Sequence, residues 1–433
     1  MSITTAPVAA SSRPWLTPRR LRAHGMILAL CLWALYAWQM SSPGLRDRSG
    51  NLKGTDFLHL YTLGSIALAH RGPDLYDMNA QAALVAQRVP EAAGIRYLPL
   101  YPPQVSILFA PLARLPYARA LAVWLALTTL IYALCAYVLW RCCPNLRGEG
   151  WAVFFLAAAF PPFFHLIAWG QTSALALACF TLAFLALRRE NKFLAGLALG
   201  CLIFKPQLGL AAAIVFVAIG AWRIVGGAFL SAAAQLAVAC LYYGIVPLRE
   251  WLRMLQRIGE LLPLLEPRPY QTHSLRTFWN LLVPWPGVSF SLYVVSACVV
   301  IALTIAVWQK SSSLPLPLRF SSLLLATVLI SPHLTIYDLV ILLPVFFLLA
   351  DWILVQPPAI PAKFLIIESL AVLTPSVSTR RFGDLLYLAY LLPLLGPLDQ
   401  WTHVQLSVVA MSTLLFVISR VESGAVTAEV LNS

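Results

Sequence analysis

Long apolar runs separated by short basic clusters set the pattern of the chain. Runs near 24–41, 117–140, 151–169, 172–188, 193–222, 226–246, 287–308, 318–331, 335–355, 361–376, 383–398 and 402–420 approach the ~20 apolar residues a helix needs to cross a bilayer. The 193–222 run is interrupted at Lys205-Pro206, where proline removes a backbone donor and favours two short helices over one long one. The pattern predicts an all-α integral membrane protein, a polytopic bundle of about 11 to 13 transmembrane helices.

Two long segments, 42–116 and 247–286, interrupt this rhythm and carry their own short amphipathic stretches. Within the first, 104–116 is bracketed by Pro102, Pro103, Pro111 and Pro116. A dozen residues cannot span a bilayer, so the stretch reads as a surface helix. The organisation expected is a basic tail over 1–23, a helical body over 24–422 and a short tail over 423–433.

Composition agrees with the pattern. Of 433 residues 60% are hydrophobic and 11% charged, against roughly 25% charged in soluble domains. The net charge of +13 sits in short loops between apolar runs, which excludes a nucleic-acid-binding face and sets topology instead. Arg13, Arg19, Arg20 and Arg22 put the N-terminus in the cytoplasm. Arg141, Arg147, Arg188, Arg189, Lys192, Arg223, Lys310, Arg319 and Lys363 then fall on the same side, leaving 42–116 and 247–286 outside the plasma (inner) membrane. The first run lacks a clear small-residue cleavage site and reads as an uncleaved helix. The eight cysteines form no CxxC and read as packing residues, with no metal site expected.

The candidate chemistry lies on the outer side. Thr55 in Gly54-Thr55-Asp56-Phe57 is placed to cap a helix that lies along the membrane surface with Asp56 in its first turn. Asp56 can serve there as a helix-dipole partner or as a reactive carboxylate. Lys205 stands in an apolar stretch, where a charge marks either a functional site or a snorkelling side chain. Tyr101 and Gln171 lie on outer turns, and His273 and Arg276 form part of the polar run Gln271-Thr272-His273-Ser274-Leu275-Arg276. Arg249, Arg253 and Arg257 share one face of an amphipathic helix suited to lipid phosphate. His333 follows Ser331-Pro332 at an outer helix end; Asp338, five residues on, does not share its helical face. No P-loop, GxGxxG, HExxH or GxSxG occurs, and an enzyme working outside the cytoplasm needs an activated donor brought to it on a lipid.

One ordered series of short motifs is specific. Asp56-Phe57, Gly72-x-x-Leu75-Tyr76-Asp77, Tyr101-Pro102-Pro103 with Phe109-Ala110-Pro111-Leu112, Gly170-Gln171, Ala195-Gly196-Leu197 with Lys205-Pro206, and Ser331-Pro332-His333 resemble glycosyltransferase family 87. The likeness runs from residue 24 to about 350. It implies a GT-C-like fold and a polyprenyl-phosphate-linked sugar donor, mannose above all, with no cofactor beyond that co-substrate. It also implies Asp56 as the catalytic base and His333 as a contact of the donor phosphate. Lys205, Arg276, His273, Arg253, Arg257, Tyr101 and Gln171 are the further substrate-binding candidates. The expected function is inverting transfer of a sugar to an extracytoplasmic lipid or glycan acceptor. A transporter or flippase for lipid-linked saccharides is the rival, but would place its charges near the midplane and show repeated halves. A non-catalytic protein of envelope assembly would tolerate the loss of Asp56.

Overall fold

The computed structural model describes residues 16–266, 268–310, 313–355 and 379–421, and these are helical, with no strand among them beyond two isolated bridges. In chain order come α1 (Pro18–Met40), α2 (Thr55–Leu68), α3 (Met78–Arg88), α4 (Gln104–Ala113) and α5 (Tyr117–Cys142). Next are α6 (Gly150–Ala158), α7 (Pro161–Trp169), α8 (Ser173–Arg188), α9 (Lys192–Gly200), α10 (Pro206–Ala218) and α11 (Trp222–Tyr243). The second long segment holds α12 (Val246–Gln256), α13 (Ile258–Leu265) and α14 (Leu275–Leu282). Then follow α15 (Pro286–Gln309), α16 (Leu316–Ile330), a 3₁₀ turn Ile336–Leu342 running into α17 (Leu343–Val355), and C-terminal helices including Thr379–Leu391 and Leu406–Arg420.

The chain is a multi-pass membrane protein. Among the described residues five helices are long and apolar enough to cross a bilayer: α1, α5, α11, α15 and Ile336–Val355. The segment Pro144–Ala158 with α7, bent by 45°, makes a sixth. That is fewer than the apolar runs suggest. Ser173–Arg188, Lys192–Phe204, Pro206–Ala218, Leu316–Ile330 and Leu406–Arg420 are apolar but fall short of a full crossing. For α16 burial explains the difference: every residue from Phe320 to Ile330 is buried, so its environment is other helices and its length need not match the lipid. The 383–398 run is broken by Pro393 in the 3₁₀ turn Leu392–Leu395, and 361–376 lies outside the described residues. By contrast α11 and α15 expose Phe229, Leu230, Leu241, Phe290 and Val295, as lipid-facing helices do.

Lys205 falls at the break expected from its sequence. A 3₁₀ turn Cys201–Phe204 carries α9 to Lys205, and α10 leaves from Pro206. The parallel packing of α9 on α11, marked by Gln235 Nε2 donating to the Gly200 carbonyl at 3.4 Å, means that α10 must return in the opposite direction. Lys205 is therefore the apex of a helical hairpin. Arg141, Arg188, Lys192 and Arg319 sit near the far ends of the helices whose other ends approach Lys205 and Asp56, so these short-loop cations are segregated from the candidate chemistry along the bundle axis.

Candidate functional site

The site is assembled where helices start or stop. α2 begins at Thr55 with Gly54 as its N-cap at φ 67°, so the expected Thr55 cap does not form. Instead Thr55 Oγ1 donates to the Leu52 carbonyl at 2.7 Å. Nor does α2 lie on the surface with one apolar face: Phe57 through Ala67 are all buried. It is clamped against α4, where a Cβ on Gly64 would come within 2.5 Å of the Phe109 carbonyl oxygen, a distance only glycine permits. The Tyr97 hydroxyl donates to the Thr55 carbonyl, and the His59 ring stacks on Tyr97 at 4.7 Å, pinning the first turn that carries Asp56.

Gln171 reaches Asp56 because α7 ends in Gly170 at φ 73°, a left-handed stop. A side chain there would also press within 2.8 Å of Phe57 Cβ. Trp124 Nε1 donates to the Gly170 carbonyl at 2.8 Å and fixes the turn. Gln171 Nε2 then donates to Asp56 Oδ2 at 2.7 Å. The amide cannot flip without loss, because its Oε1 accepts from Tyr101 Oη at 3.3 Å, Lys205 Nζ at 3.4 Å and the Thr172 N–H at 3.2 Å.

Lys205 in turn is held by Asp338. Its Nζ lies 2.7 Å from Asp338 Oδ1 and 3.0 Å from Ser173 Oγ, over the Tyr337 ring. Ser173 Oγ donates to the same carboxylate oxygen at 2.5 Å. Asp338 Oδ2 accepts from the Thr335 N–H in a capping box, which fixes the carboxylate independently of Lys205. Lys205 is thus neither a lone intramembrane charge nor a snorkelling one.

Asp56, Gln171, Tyr101 and Lys205 therefore form one network, joined by Ser173 and Asp338. Burial pushes the Asp56 carboxyl up to about 6; the Gln171 hydrogen bond and the Lys205 charge pull it down, and Asp338 repels it. Burial drives the neighbouring His59 down to about 3, leaving that ring neutral.

Arg276 and His333 form a second cluster around a residue that the motifs did not single out. Glu266 Oε1 sits 2.8 Å from His333 Nδ1, and its Oε2 accepts from Arg276 Nη2. Arg276 Nε donates to the Pro332 carbonyl. Burial raises the Glu266 carboxyl, but its bonds to His333 and Arg276 outweigh that and hold it below the usual glutamate range. The two clusters are linked along the chain, since His333 lies five residues before Asp338.

The remaining candidates lie elsewhere. Arg253 and Arg257 are about two-thirds exposed and pair with Glu250 and Glu260, each three residues away in sequence. His273 is fully buried, hydrogen-bonded through Nδ1 to Ser407 Oγ at 2.9 Å, and pushed down to about 3 by burial and then by His165. Its backbone N–H donates to the Leu334 carbonyl at 3.1 Å, so His273 straps the second long segment to the loop bearing His333.

The description of glycosyltransferase family 87 matches residues 100–332. The chain belongs to glycosyltransferase family 87. Family 87 membership makes it a membrane glycosyltransferase. The matched stretch takes in Tyr101, Gln171, Lys205, Glu266 and Arg276, stops one residue before His333, and leaves Asp56 outside. No curated protein matches the chain, and no solved structure does.

Proposed function

We propose that this family 87 enzyme moves a sugar, mannose in the first instance, from a polyprenyl-phosphate carrier to a hydroxyl of an extracytoplasmic lipid or glycan, with inversion and with Asp56 as general base. The observation that carries the proposal is the held carboxylate. Asp56 is buried at a helix start and fixed by one amide whose own orientation is locked by three donors. A residue that only caps a helix needs no such support.

The chemistry is a single displacement. The acceptor oxygen bonds to the anomeric carbon while the bond from that carbon to the phosphate oxygen breaks. The acceptor's proton passes to Asp56 as its oxygen becomes acidic in the transition state. The leaving phosphate requires no proton, so one carboxylate suffices, in contrast to the pair used by glycoside hydrolases. It requires cations, and Arg276 with His333 supplies them in charge-assisted geometry. Lys205, neutralised by Asp338, acts through Gln171 and does not bind phosphate. Tyr101 and Gln171 position the base.

Asp56→Asn keeps shape and helix-start preference while removing the proton acceptor. With a radiolabelled polyprenyl-phosphate mannose donor, turnover should fall about 10²- to 10⁴-fold, with expression and detergent stability unchanged. Asp74→Asn and Asp77→Asn serve as controls, since Asp74 pairs with Arg71 and Asp77 caps α3. Near-normal turnover in Asp56→Asn would remove the base assignment.

A further inference from the structure

The Glu266–Arg276–His333 cluster sets a carboxylate between a guanidinium and an imidazole, and His333 lies five residues before Asp338 of the Asp56 network. The side chains of Glu266, Arg276 and His333 are 7%, 12% and 21% exposed, so their charges act through little water. Glu266 arrives from the second long segment and His333 from the loop after α16. The two are brought together by the antiparallel bridge Thr272–Thr335 and the His273-to-Leu334 backbone bond. Among the described residues, no hydrogen bond uses Arg276 Nη1 or His333 Nε2.

We propose that Glu266 is a positioning residue for the donor phosphate. Its two oxygens hold His333 and Arg276 side by side, so that Nε2 of one and Nη1 of the other are left as a paired donor set. Because an ionised carboxylate can only accept, Glu266 fixes a proton on His333 Nδ1 and turns Nε2 outward, where it donates when the ring carries its second proton. The charge count fits the ligand. With a phosphodiester bound, two anionic groups face Arg276 and the His333 ring, and the site is charge-balanced when that ring carries a proton on each nitrogen. A glutamate standing as a mere obstruction would have to leave when phosphate arrives. Here it is tied to both cations at once, with Arg276 also anchored on Pro332.

This rests on Arg276 and His333 being the phosphate site, and the experiment separates the two claims. The full-length enzyme in nanodiscs is assayed for donor kinetics and for binding of sugar-free polyprenyl phosphate. Glu266→Gln should raise the donor KM and weaken polyprenyl-phosphate binding by about ten- to a hundredfold, with kcat within about threefold of wild type. In a His333→Gln background the same change should cost less, because part of its effect runs through that ring. Tighter binding in Glu266→Gln would mean the carboxylate obstructs the site and would overturn the proposal. So would unchanged binding in Glu266→Gln where His333→Gln weakens it. If His333→Gln and Arg276→Gln both leave binding intact, the phosphate assignment fails, and the inference with it. Asp56→Asn, read by kcat, is untouched by any of these outcomes. Should Glu266→Gln not survive purification, Glu266→Asp carries the test: its shorter carboxylate keeps the charge but cannot reach both partners. The same KM pattern is then expected, and an unchanged donor KM overturns the proposal.

Discussion

Replacing Lys205 with Met tests the network from its buried end. Methionine keeps most of the apolar stem and removes the ammonium. Asp338 would keep only Ser173 and the Thr335 N–H, in a site where its side chain is 2% exposed. Removing one partner of a buried pair typically costs about 3–5 kcal/mol, because the other charge stays buried and uncompensated. Asp338→Asn should cost less, since Lys205 would retain Ser173, the Gln171 carbonyl, the Tyr337 face and the nearby Asp56 charge. The double variant Lys205→Met with Asp338→Asn removes both charges and preserves the Thr335 cap, so stability should return to within about 1 kcal/mol of wild type. Turnover should not return. Gln171 would have lost one of the three donors that orient it, and Asp56 the cation that favours its ionised form; a loss of about tenfold is expected, the size of one charge-assisted hydrogen bond. The assay is a thermal midpoint in detergent beside sugar transfer from the proposed donor on the same preparations. Two results would refute the reasoning: Lys205→Met as stable as wild type, or a double variant recovering both stability and turnover.

Two further outcomes follow from the same geometry. The base proposed at Asp56, whose carboxyl is pushed up to about 6, must be ionised to act, so kcat/KM should fall about tenfold per unit of pH below that value. Gln171→Leu deletes the bond that lowers this group, so the acid limb should move to higher pH by about one unit; a limb that stays in place would detach Gln171 from the base. The charge segregation along the bundle is tested by topology reporters: one fused after Pro103 should read extracytoplasmic and one after Arg189 cytoplasmic. Opposite readings would put Asp56 on the side where a lipid-borne donor is not required.

The helices were legible in the sequence, but their lengths were not. Hydropathy identifies segments that avoid water and does not separate lipid from protein as the alternative solvent. The buried α16 and the lipid-facing α15 therefore look alike as apolar runs, although they differ in length, 15 residues against 24. The same ambiguity hid the environment of α2, expected to lie along the membrane surface, and of its polar residues His59, Thr62 and Ser65. They are buried, with Thr62 and Ser65 bonded back to backbone carbonyls one turn earlier. Short motifs located Asp56, Gln171, Lys205 and His333 individually, because Gly-Gln, Lys-Pro and Ser-Pro-His are marks of chain breaks. Their partners were invisible. Asp338 reads locally as the acid of a capping box, which it is, and nothing near it in sequence announces Lys205, 133 residues away. Glu266 is an acid in a leucine-rich stretch, and its role becomes apparent only through Arg276 and His333.

The location of those breaks gives the arrangement its physical sense. Within an apolar bundle a polar side chain is costly unless another polar group meets it, and regular helix satisfies its own backbone without exposing donors. Positions where helices stop are different: they expose backbone groups and turn side chains off the helix axis. Gly54, Gly170, the Lys205-Pro206 break and Ser331-Pro332 are four such positions on elements that are remote in sequence. The bundle brings three of them to one network, and the fourth ends six residues before Asp338 in that network. Each residue in the network then offsets the desolvation of its neighbour: Lys205 for Asp338, Gln171 for Asp56, Tyr101 for Gln171. A network closed in this way holds one carboxylate, Asp56, with a partner on one oxygen and no cation in direct contact among the described residues. That is the electrostatic condition a general base needs, ionised at neutral pH yet not neutralised by a bound cation.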